Sequence, residues 1–285
     1  MKKVLLTASA LSLLAGAAVA DVSVGGDARF GLKYDDGNAD ETSVIQRVRV
    51  HFNMSTETDA GLTFGARVGL DSRSEEGVAV GANGSNFRKL HSTVMISGMG
   101  FEAALGNSNG AVVDIVGLWD GGLGFDATLA RQNLTGGFDT DDESNQTLQV
   151  GYSFGDFSIA ASSQVAGDTS TEFAAEYSAN GITVAAGGDD DDNWAVSGSY
   201  ASGDFVVGAI FRDGDVTGEQ FRVWGNYSMG ATKIGAVYTD MGDSIGETYA
   251  IGVAHSLGGG VTAHAGIGEG VDGDTEAQLG FTMGF

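Results

Sequence analysis

The chain has 285 residues, with 14 basic and 38 acidic side chains, a formal net charge of −24, 47 glycines, and neither proline nor cysteine. This acidity argues against nucleic acid as a partner, because affinity for nucleic acid comes from neutralising its phosphates. The lack of cysteine excludes a small scaffold held by disulfides. The many glycines argue against helices, in which each glycine costs about 1 kcal/mol relative to alanine.

The first 20 residues have the features of a secretory signal peptide. A basic start with Lys2 and Lys3 precedes an apolar stretch, 4–14, and an Ala-Val-Ala motif that ends at Ala20. A retained membrane anchor is the alternative, but the apolar stretch is shorter than the roughly 20 residues that a spanning helix needs. We therefore expect a mature chain of residues 21–285, whose charge without the two lysines is −26.

Most segments after residue 20 alternate between apolar side chains and polar or small ones. The last segment, 275–285, has an apolar side made of Ala277, Leu279, Phe281, Met283 and Phe285. Its other side is made of Glu276, Gln278, Gly280, Thr282 and Gly284. A period of two indicates half-buried strands. It is typical of a membrane barrel with an apolar outside and a polar lumen, although a soluble β-sandwich alternates as well.

The connections between these segments fall into two kinds that alternate along the chain. Short turns rich in glycine, serine or asparagine are predicted at 56–60, 98–99, 155–156, 178–181, 201–203, 229–230 and 257–260. Longer or more acidic loops are predicted at 36–41, 72–86, 108–144, 167–170, 188–192, 213–218, 240–246 and 268–274. Fifteen connections imply sixteen strands. Short turns at one end and long loops at the other are typical of outer-membrane barrels.

One further segment, 124–132, also has a strand-like pattern, and counting it would give seventeen strands. Single-chain bacterial barrels have even numbers of strands, so we assign it to the long acidic loop 108–144. Aromatic residues lie near the ends of many segments, for example Tyr152 and Phe154 at a turn and Trp194 at a loop. Two aromatic bands are typical of a barrel in a membrane.

With these features the chain resembles the trimeric general-diffusion porins of Gram-negative outer membranes, of the alphaproteobacterial type. The residues that carry the resemblance are the signal peptide, the alternating segments, the long third external loop, whose start GNSNGAVVDIVG at 106–117 is similar to a constriction loop, and the ending LGFTMGF. The departure from the family is length, since 265 mature residues require several external loops to be short.

The resemblance implies an all-β fold: a 16-stranded antiparallel transmembrane β-barrel with short periplasmic turns, longer external loops and an inward-folded third loop. It also implies an outer-membrane location, a homotrimer, contact with outer-membrane lipid and lipopolysaccharide, and insertion by the barrel assembly machinery. Phe285 and Phe281 would belong to the assembly signal that this machinery recognises.

Six of the twelve basic residues of the mature chain fall on the predicted lumen side of the first four strands. They are Arg29, Lys33, Arg47, Arg49, Arg67 and Lys89. The loop 108–144 contributes the acidic residues Asp114, Asp120 and Asp126. Opposed arcs of charge at a narrow section would create a transverse field that selects ions, and the resemblance implies this arrangement. The alternative is that these charges only line a wet lumen.

Passive diffusion of small hydrophilic solutes and ions, with weak cation preference, is the function that these features favour. A substrate-specific channel is the first alternative, although Trp224 is the only clear aromatic on the lumen side. A barrel enzyme is the second, but no histidine can be placed beside a nucleophile, so we predict no catalytic residues. No cofactor or metal site is predicted. Calcium at the acidic stretches 139–143 and 188–192 stays open, since neither has EF-hand spacing.

Overall fold

The computed structural model describes residues 20–73, 87–125, 127, 129, 134–138, 146–165, 170–215, 218–242 and 245–285, with residues 73 and 87–90 described by their backbone alone. In these residues the chain forms sixteen antiparallel strands, each paired with its neighbours in sequence, and the pairing of the first strand with the last closes the barrel. The predicted fold class and strand number are therefore confirmed.

The strands have the following bounds. They are β1 Asp21–Asp35, β2 Thr42–Glu57, β3 Thr63–Arg73, β4 Phe87–Gly98, β5 Phe101–Gly106, β6 Thr147–Phe154, β7 Phe157–Gln164, β8 Thr171–Ala179, β9 Ile182–Asp189, β10 Trp194–Ser202, β11 Phe205–Asp213, β12 Gln220–Met229, β13 Thr232–Asp240, β14 Glu247–Gly258, β15 Val261–Glu269 and β16 Thr275–Gly284. A single turn of π-helix, Val113–Gly117, lies between β5 and β6. No helix in the described residues is long and apolar enough to cross a membrane.

The short connections take the tight geometry that their sequences predict. Asn180 and Gly181, which join β8 to β9, have φ values of 52° and 80°. Positive φ at both central residues is the turn that suits the twist of paired strands, and asparagine followed by glycine adopts it most readily. The start of β1 and the end of β16 lie at this end of the barrel, where the Gly284 amide donates to the carbonyl of Gly260 in the last short turn (3.1 Å).

The outer face of the barrel is apolar, with aromatic pairs near both ends. At the short-turn end, Phe157 contacts Tyr177 with ring centroids 4.8 Å apart, and Phe205 contacts Tyr227 at 4.4 Å. At the loop end, Trp194 contacts Phe211 at 5.4 Å. Amphipathic rings favour the two interfaces of a membrane, so these pairs occupy the positions of the aromatic girdles.

The main cluster of buried residues lies inside the barrel, between the loop 108–144 and the wall. The loop contributes Ala111, Val112, Val113, Val116, Leu118, Leu134 and Phe138. The wall contributes Ala174, Ala185, Ala195, Ile210 and Met241. The described part of 124–132 forms one isolated bridge, Leu123 with Leu129, and no wall strand. The loop therefore folds inward, as predicted.

Candidate pore constriction

The entry into the loop is fixed by two side chains of the inner wall. The Ala111 amide donates to Ser162 Oγ on β7 at 2.8 Å, and the Val112 amide donates to Glu172 Oε2 on β8 at 2.8 Å. Glu172 is completely buried. Amides at the start of a helical segment lack partners within it, and an anion is favourable there. A buried carboxylate is thus used to begin the π-helix.

Two buried arginines hold the backbone of the loop farther along. Arg222 Nη1 on β12 donates to the carbonyls of Leu118 (3.2 Å) and Asp120 (3.1 Å). Arg212 Nη1 on β11 donates to the carbonyl of Leu134 at 2.9 Å and also to that of Gly136. Both arginines are 0% exposed. Since arginine offers five donors in a rigid fork, each one fixes two carbonyls of the loop.

Glycines on the inner wall provide the space in which large side chains pack. A Cβ at Gly208 would lie 2.2 Å from Cζ2 of Trp224, so the indole lies directly over this glycine. Phe125 of the loop approaches Gly31 and Gly280 in the same way, since a Cβ at either position would lie 2.7 Å from its ring. The loop therefore covers the inner wall from β7 to β16 and reaches β1.

The wall that the loop leaves open carries the predicted basic residues. Arg47 Nε donates to Asp71 Oδ1 at 3.0 Å, and Arg49 Nε lies 2.8 Å from Asp27 Oδ1. Arg67 instead contacts the ring of His51. A recess of about 220 Å³ opens here, lined by Arg47, Arg49, His51, Arg67, Gly69, His91, Thr93 and Asn107.

The remaining predicted basic residues border this region. Arg29 is the register partner of Arg47 across β1 and β2. Lys33 lies farther along β1, with its Nζ 3.9 Å from Asp35 Oδ2. Lys89 pairs in register with Asp71 across β4 and β3, and its side chain lies outside the described residues. The structure therefore brings the predicted basic residues together on four adjoining strands.

Two of the three predicted acidic residues of the loop, Asp114 and Asp120, lie in its described part. Asp114 is exposed on the π-helix, where it accepts hydrogen bonds from Asn109 Nδ2 (2.8 Å) and from Gln149 Nε2 on β6 (3.4 Å). Asp120 is also exposed, and its backbone is held by Arg222. Asp126 lies outside the described residues. That these acids oppose the basic arc across the lumen stays a prediction.

Comparison with known proteins decides what this barrel is. The family model for Gram-negative porins matches residues 7–275. The chain belongs to the Gram-negative porin family. A curated porin from Fuscovulum blasticum is 26% identical over 301 residues, covering 93% of this chain and 100% of that porin. A porin from Rhodobacter capsulatus is 30% identical over 235 residues, covering 77% and 67%.

A solved structure has the same fold as this porin. A mutant of the Rh. blastica porin superposes with a TM-score of 0.80 at 22% identity, covering 93% of this chain and all of that one. Family and fold together identify an outer-membrane diffusion channel, and they point to a channel rather than an enzyme.

Sequence reasoning missed several residues that build the interior of this porin. Arg212, Arg222 and Glu172 hold the loop, and Asp27 and Asp71 pair with arginines of the open wall. The signal that could have found them is inward parity, since Arg212 and Arg222 fall on the polar side of their strands. Trp224 does face inward, but it packs beneath the loop, whereas Trp119 on the loop is 40% exposed.

Calcium at the acidic loops stays a prediction. The stretch 139–143 lies outside the described residues. In 188–192, the Asp189 carboxylate accepts from the amides of Asp191 (3.0 Å) and Asn193 (2.9 Å) and from Asn193 Nδ2 (2.7 Å), so it stabilises its own turn. Among the described residues, no group of three or more acidic, histidine or cysteine side chains could hold a metal ion.

Proposed function

We propose that this diffusion channel is weakly cation-selective, with its narrowest section between the loop 108–144 and the open wall of β1 to β4. In this proposal Asp114, Asp120 and Asp126 form the acidic side of the constriction. Arg29, Lys33, Arg47, Arg49, Arg67 and Lys89 form the basic side. The observation that carries the proposal is the inward-packed loop, which leaves one charged arc of the wall uncovered.

The sign of the selectivity follows from how far the basic charges are compensated. Arg47 lies against Asp71, and Arg49 against Asp27. Opposite charges at this spacing largely cancel for an ion more than a few ångströms away. Arg67, which contacts His51 and no carboxylate of the described residues, offsets the charge of Asp114. The residual bias then comes from the acids of the external loops, whose field extends about 8 Å at physiological salt. A negative mouth gathers cations and raises their local concentration.

Assembly and processing are part of the same proposal. Residues 1–20 would be removed on export, and Phe285, which is 63% exposed, and Phe281, which stacks on Phe30 at 5.3 Å, would serve as the assembly signal. We also propose a homotrimer in contact with lipopolysaccharide. The outer face of the early strands begins with small apolar side chains, since Val22 and Val24 are exposed. A monomeric native mass in mild detergent would count against the trimer.

Reversal potentials in a salt gradient across a planar bilayer test the selectivity. Replacing Asp114 and Asp120 by Asn should shift the pore toward anions, and replacing Arg47 and Arg49 by Gln should shift it toward cations. Two charges 4 Å apart in water interact by about 1 kcal/mol, so each charge removed should alter the permeability ratio by about fivefold.

Asp204→Asn, in the short turn between β10 and β11, is the control, because it removes a charge far from the loop. If neither pair of substitutions moves the reversal potential, the loop does not line the narrowest section. Current that saturates with one class of neutral solute, instead of rising steadily, would favour the substrate-specific channel.

A further inference from the structure

The recess on the open wall is built around a glycine between two histidines. His51, Gly69 and His91 are register partners across β2, β3 and β4. A Cβ at Gly69 would lie 3.3 Å from His51 Cδ2 and 3.6 Å from His91 Cβ. The glycine therefore leaves the space between the two imidazoles open toward the lumen. Thr93 Oγ1 donates to the Asn107 carbonyl at 3.1 Å, which fixes the adjoining rim.

Arg67 differs from its neighbours in this recess. Arg47 and Arg49 each lie against a carboxylate. Arg67 Nη2 instead contacts both ring nitrogens of His51, with Nε2 at 3.2 Å. No carboxylate of the described residues forms an ion pair with Arg67. Since a guanidinium only donates hydrogen bonds, the ring nitrogen that meets it is an acceptor, and the imidazole is neutral in this arrangement.

Neutral and protonated His51 differ in the hydrogen-bond donors and acceptors that they present to the recess. A protonated imidazole has donors at both nitrogens and no acceptor, so it would repel Arg67. An oxyanion between the two groups would convert that repulsion into two charge-assisted hydrogen bonds. The guanidinium fork matches the geometry of phosphate-like groups, and a recess of about 220 Å³ has room for such an ion with some of its water.

We propose that this recess retains a small tetrahedral dianion, of the sulfate or phosphate type, between Arg67 and the rings of His51 and His91. Protonation of His51 strengthens the retention. The proposal rests on the proposed function only in that the recess must open onto the conducting lumen. It goes beyond a general charge effect, because it assigns one anion class to one set of side chains.

The charged groups around the two rings set the pH dependence. His51 faces Arg49 on its own strand, Arg67 on β3, Asp27 on β1 and His91 on β4. Lys89 precedes His91 by two residues on β4, and its side chain lies outside the described residues. Histidine is the side chain that ordinarily changes charge between about pH 5 and pH 8. Acidification therefore adds positive charge to the recess at His51.

Sulfate is the probe, because it stays doubly charged throughout this pH range. Channels in planar bilayers with potassium chloride are titrated with potassium sulfate at constant ionic strength, at about pH 5 and about pH 8. The expected result is a saturable fall in current, half-complete at a sulfate concentration about tenfold lower at the acidic pH. Arg67→Gln should raise that concentration by about tenfold, because charge-assisted hydrogen bonds are lost.

The histidines and a matched control complete the design. Replacing His51 by Gln should abolish the pH dependence and leave part of the retention. Lys233→Gln, an inward cation on β13, should change neither. Inorganic phosphate and a sugar phosphate are compared at the alkaline pH. Retention of both assigns the recess to phosphorylated solutes, and retention of the inorganic ion alone assigns it to free anions.

Three results would overturn the proposal. They are a current that changes linearly with sulfate concentration, a retention that does not change with pH, and an effect of Lys233→Gln on sulfate retention equal to that of Arg67→Gln. Stepwise conductance in potassium chloride alone shows in each variant that the barrel has folded and conducts. A conducting, ion-selective pore without sulfate retention would therefore remove this inference and leave the proposed function standing.

Discussion

The two halves of the inner wall use the same residue type in opposite ways. On the covered half, β7 to β16, the arginines Arg212 and Arg222 are completely buried and donate to carbonyls of the loop. On the open part, β1 to β4, Arg47 and Arg49 lie against carboxylates and border a recess. Both halves have the alternating sequence pattern of a lumen wall.

The difference depends on whether the loop covers the arginine. A buried donor that lacks a partner costs about 1–3 kcal/mol, and under the loop Arg212 and Arg222 both direct Nη1 to backbone carbonyls. The backbone carbonyls there are neutral, and the arginines act as clamps. At the open wall, Arg47 and Arg49 lie against carboxylates beside the recess, so their charges contribute to the local field of the lumen. An arginine on a lumen strand thus holds the loop backbone where the loop covers it, and contributes to the field of the lumen where the loop does not.

Removing a clamp should have the largest effect. Arg222→Met keeps the volume and apolar stem of the side chain but leaves the carbonyls of Leu118 and Asp120 without their donor. The cost should be roughly 1–3 kcal/mol for each carbonyl, enough to release this limb of the loop. We expect a larger and noisier single-channel conductance, with the barrel itself still folded.

Lys233→Met is the matched control, because it removes a cation from the inner wall without freeing a loop carbonyl. Arg222→Lys should partly reverse the increase in conductance and in current noise, since lysine can reach one of the two carbonyls. An Arg222→Met channel that conducts like the unsubstituted one would show that the arginine does not position the loop.

Filling a glycine gap tests the covered half by a steric change alone. Gly208→Val would place a side chain where Cζ2 of Trp224 now lies, 2.2 Å from the position of a Cβ. Overpacking of this kind costs about 1–3 kcal/mol. The melting temperature of the barrel should fall, and displacement of the indole should widen the pore modestly.

Gly198→Ala is the control for the glycine substitution, because the nearest atom to its Cβ is 3.9 Å away. This change should leave melting and conductance unaltered. Equal effects of the two variants would mean that strand glycines matter for barrel formation in general and not for seating Trp224.

The smallest effect is expected at the external rim, in the loop between β15 and β16. Burial, and then the charges of Asp36, Asp272 and Asp35, raise the pKa of Asp274 above its usual value. A carboxyl whose pKa is raised by folding destabilises the fold when it is charged, and the penalty is relieved as pH falls through the raised pKa. Asp274→Asn should therefore slightly raise the melting temperature at neutral pH.

That gain should shrink as the pH approaches the acidic range in which Asp274 itself becomes protonated. Asp59→Asn, in a turn at the opposite end of the barrel, is the comparison variant. A gain of equal size at neutral and acidic pH would assign the effect to packing or hydrogen bonding in place of charge.

Much of the fold followed from local patterns. The period of two predicted the strands, and the alternation of short and long connections predicted that there are sixteen and which end carries the loops. The even strand number correctly kept 124–132 out of the wall, although its residues alternate. The inward position of the third loop came from a resemblance, because nothing in its own sequence distinguishes an inward loop from an external one.

The site was less accessible to sequence reasoning. Inward parity located Arg29, Arg47, Arg49 and Arg67 on one arc, but it could not show that Asp27 and Asp71 pair with two of them. These partners are 22 and 24 residues away in sequence, and their contacts depend on the register between strands. Parity likewise could not distinguish Arg222, a clamp, from Arg49, a residue of the open wall.

The sequence by itself determined the barrel, because alternation, tight turns and apolar outer faces are local requirements that each strand meets within a few residues. Only the tertiary structure decided where the lumen stays open. That depends on how the loop packs against the wall, through the indole of Trp224, the glycines beneath it and the buried donors of Arg212 and Arg222. Whether an inward charge faces water or a carbonyl is a property of that packing, since burial is set by residues distant in the chain.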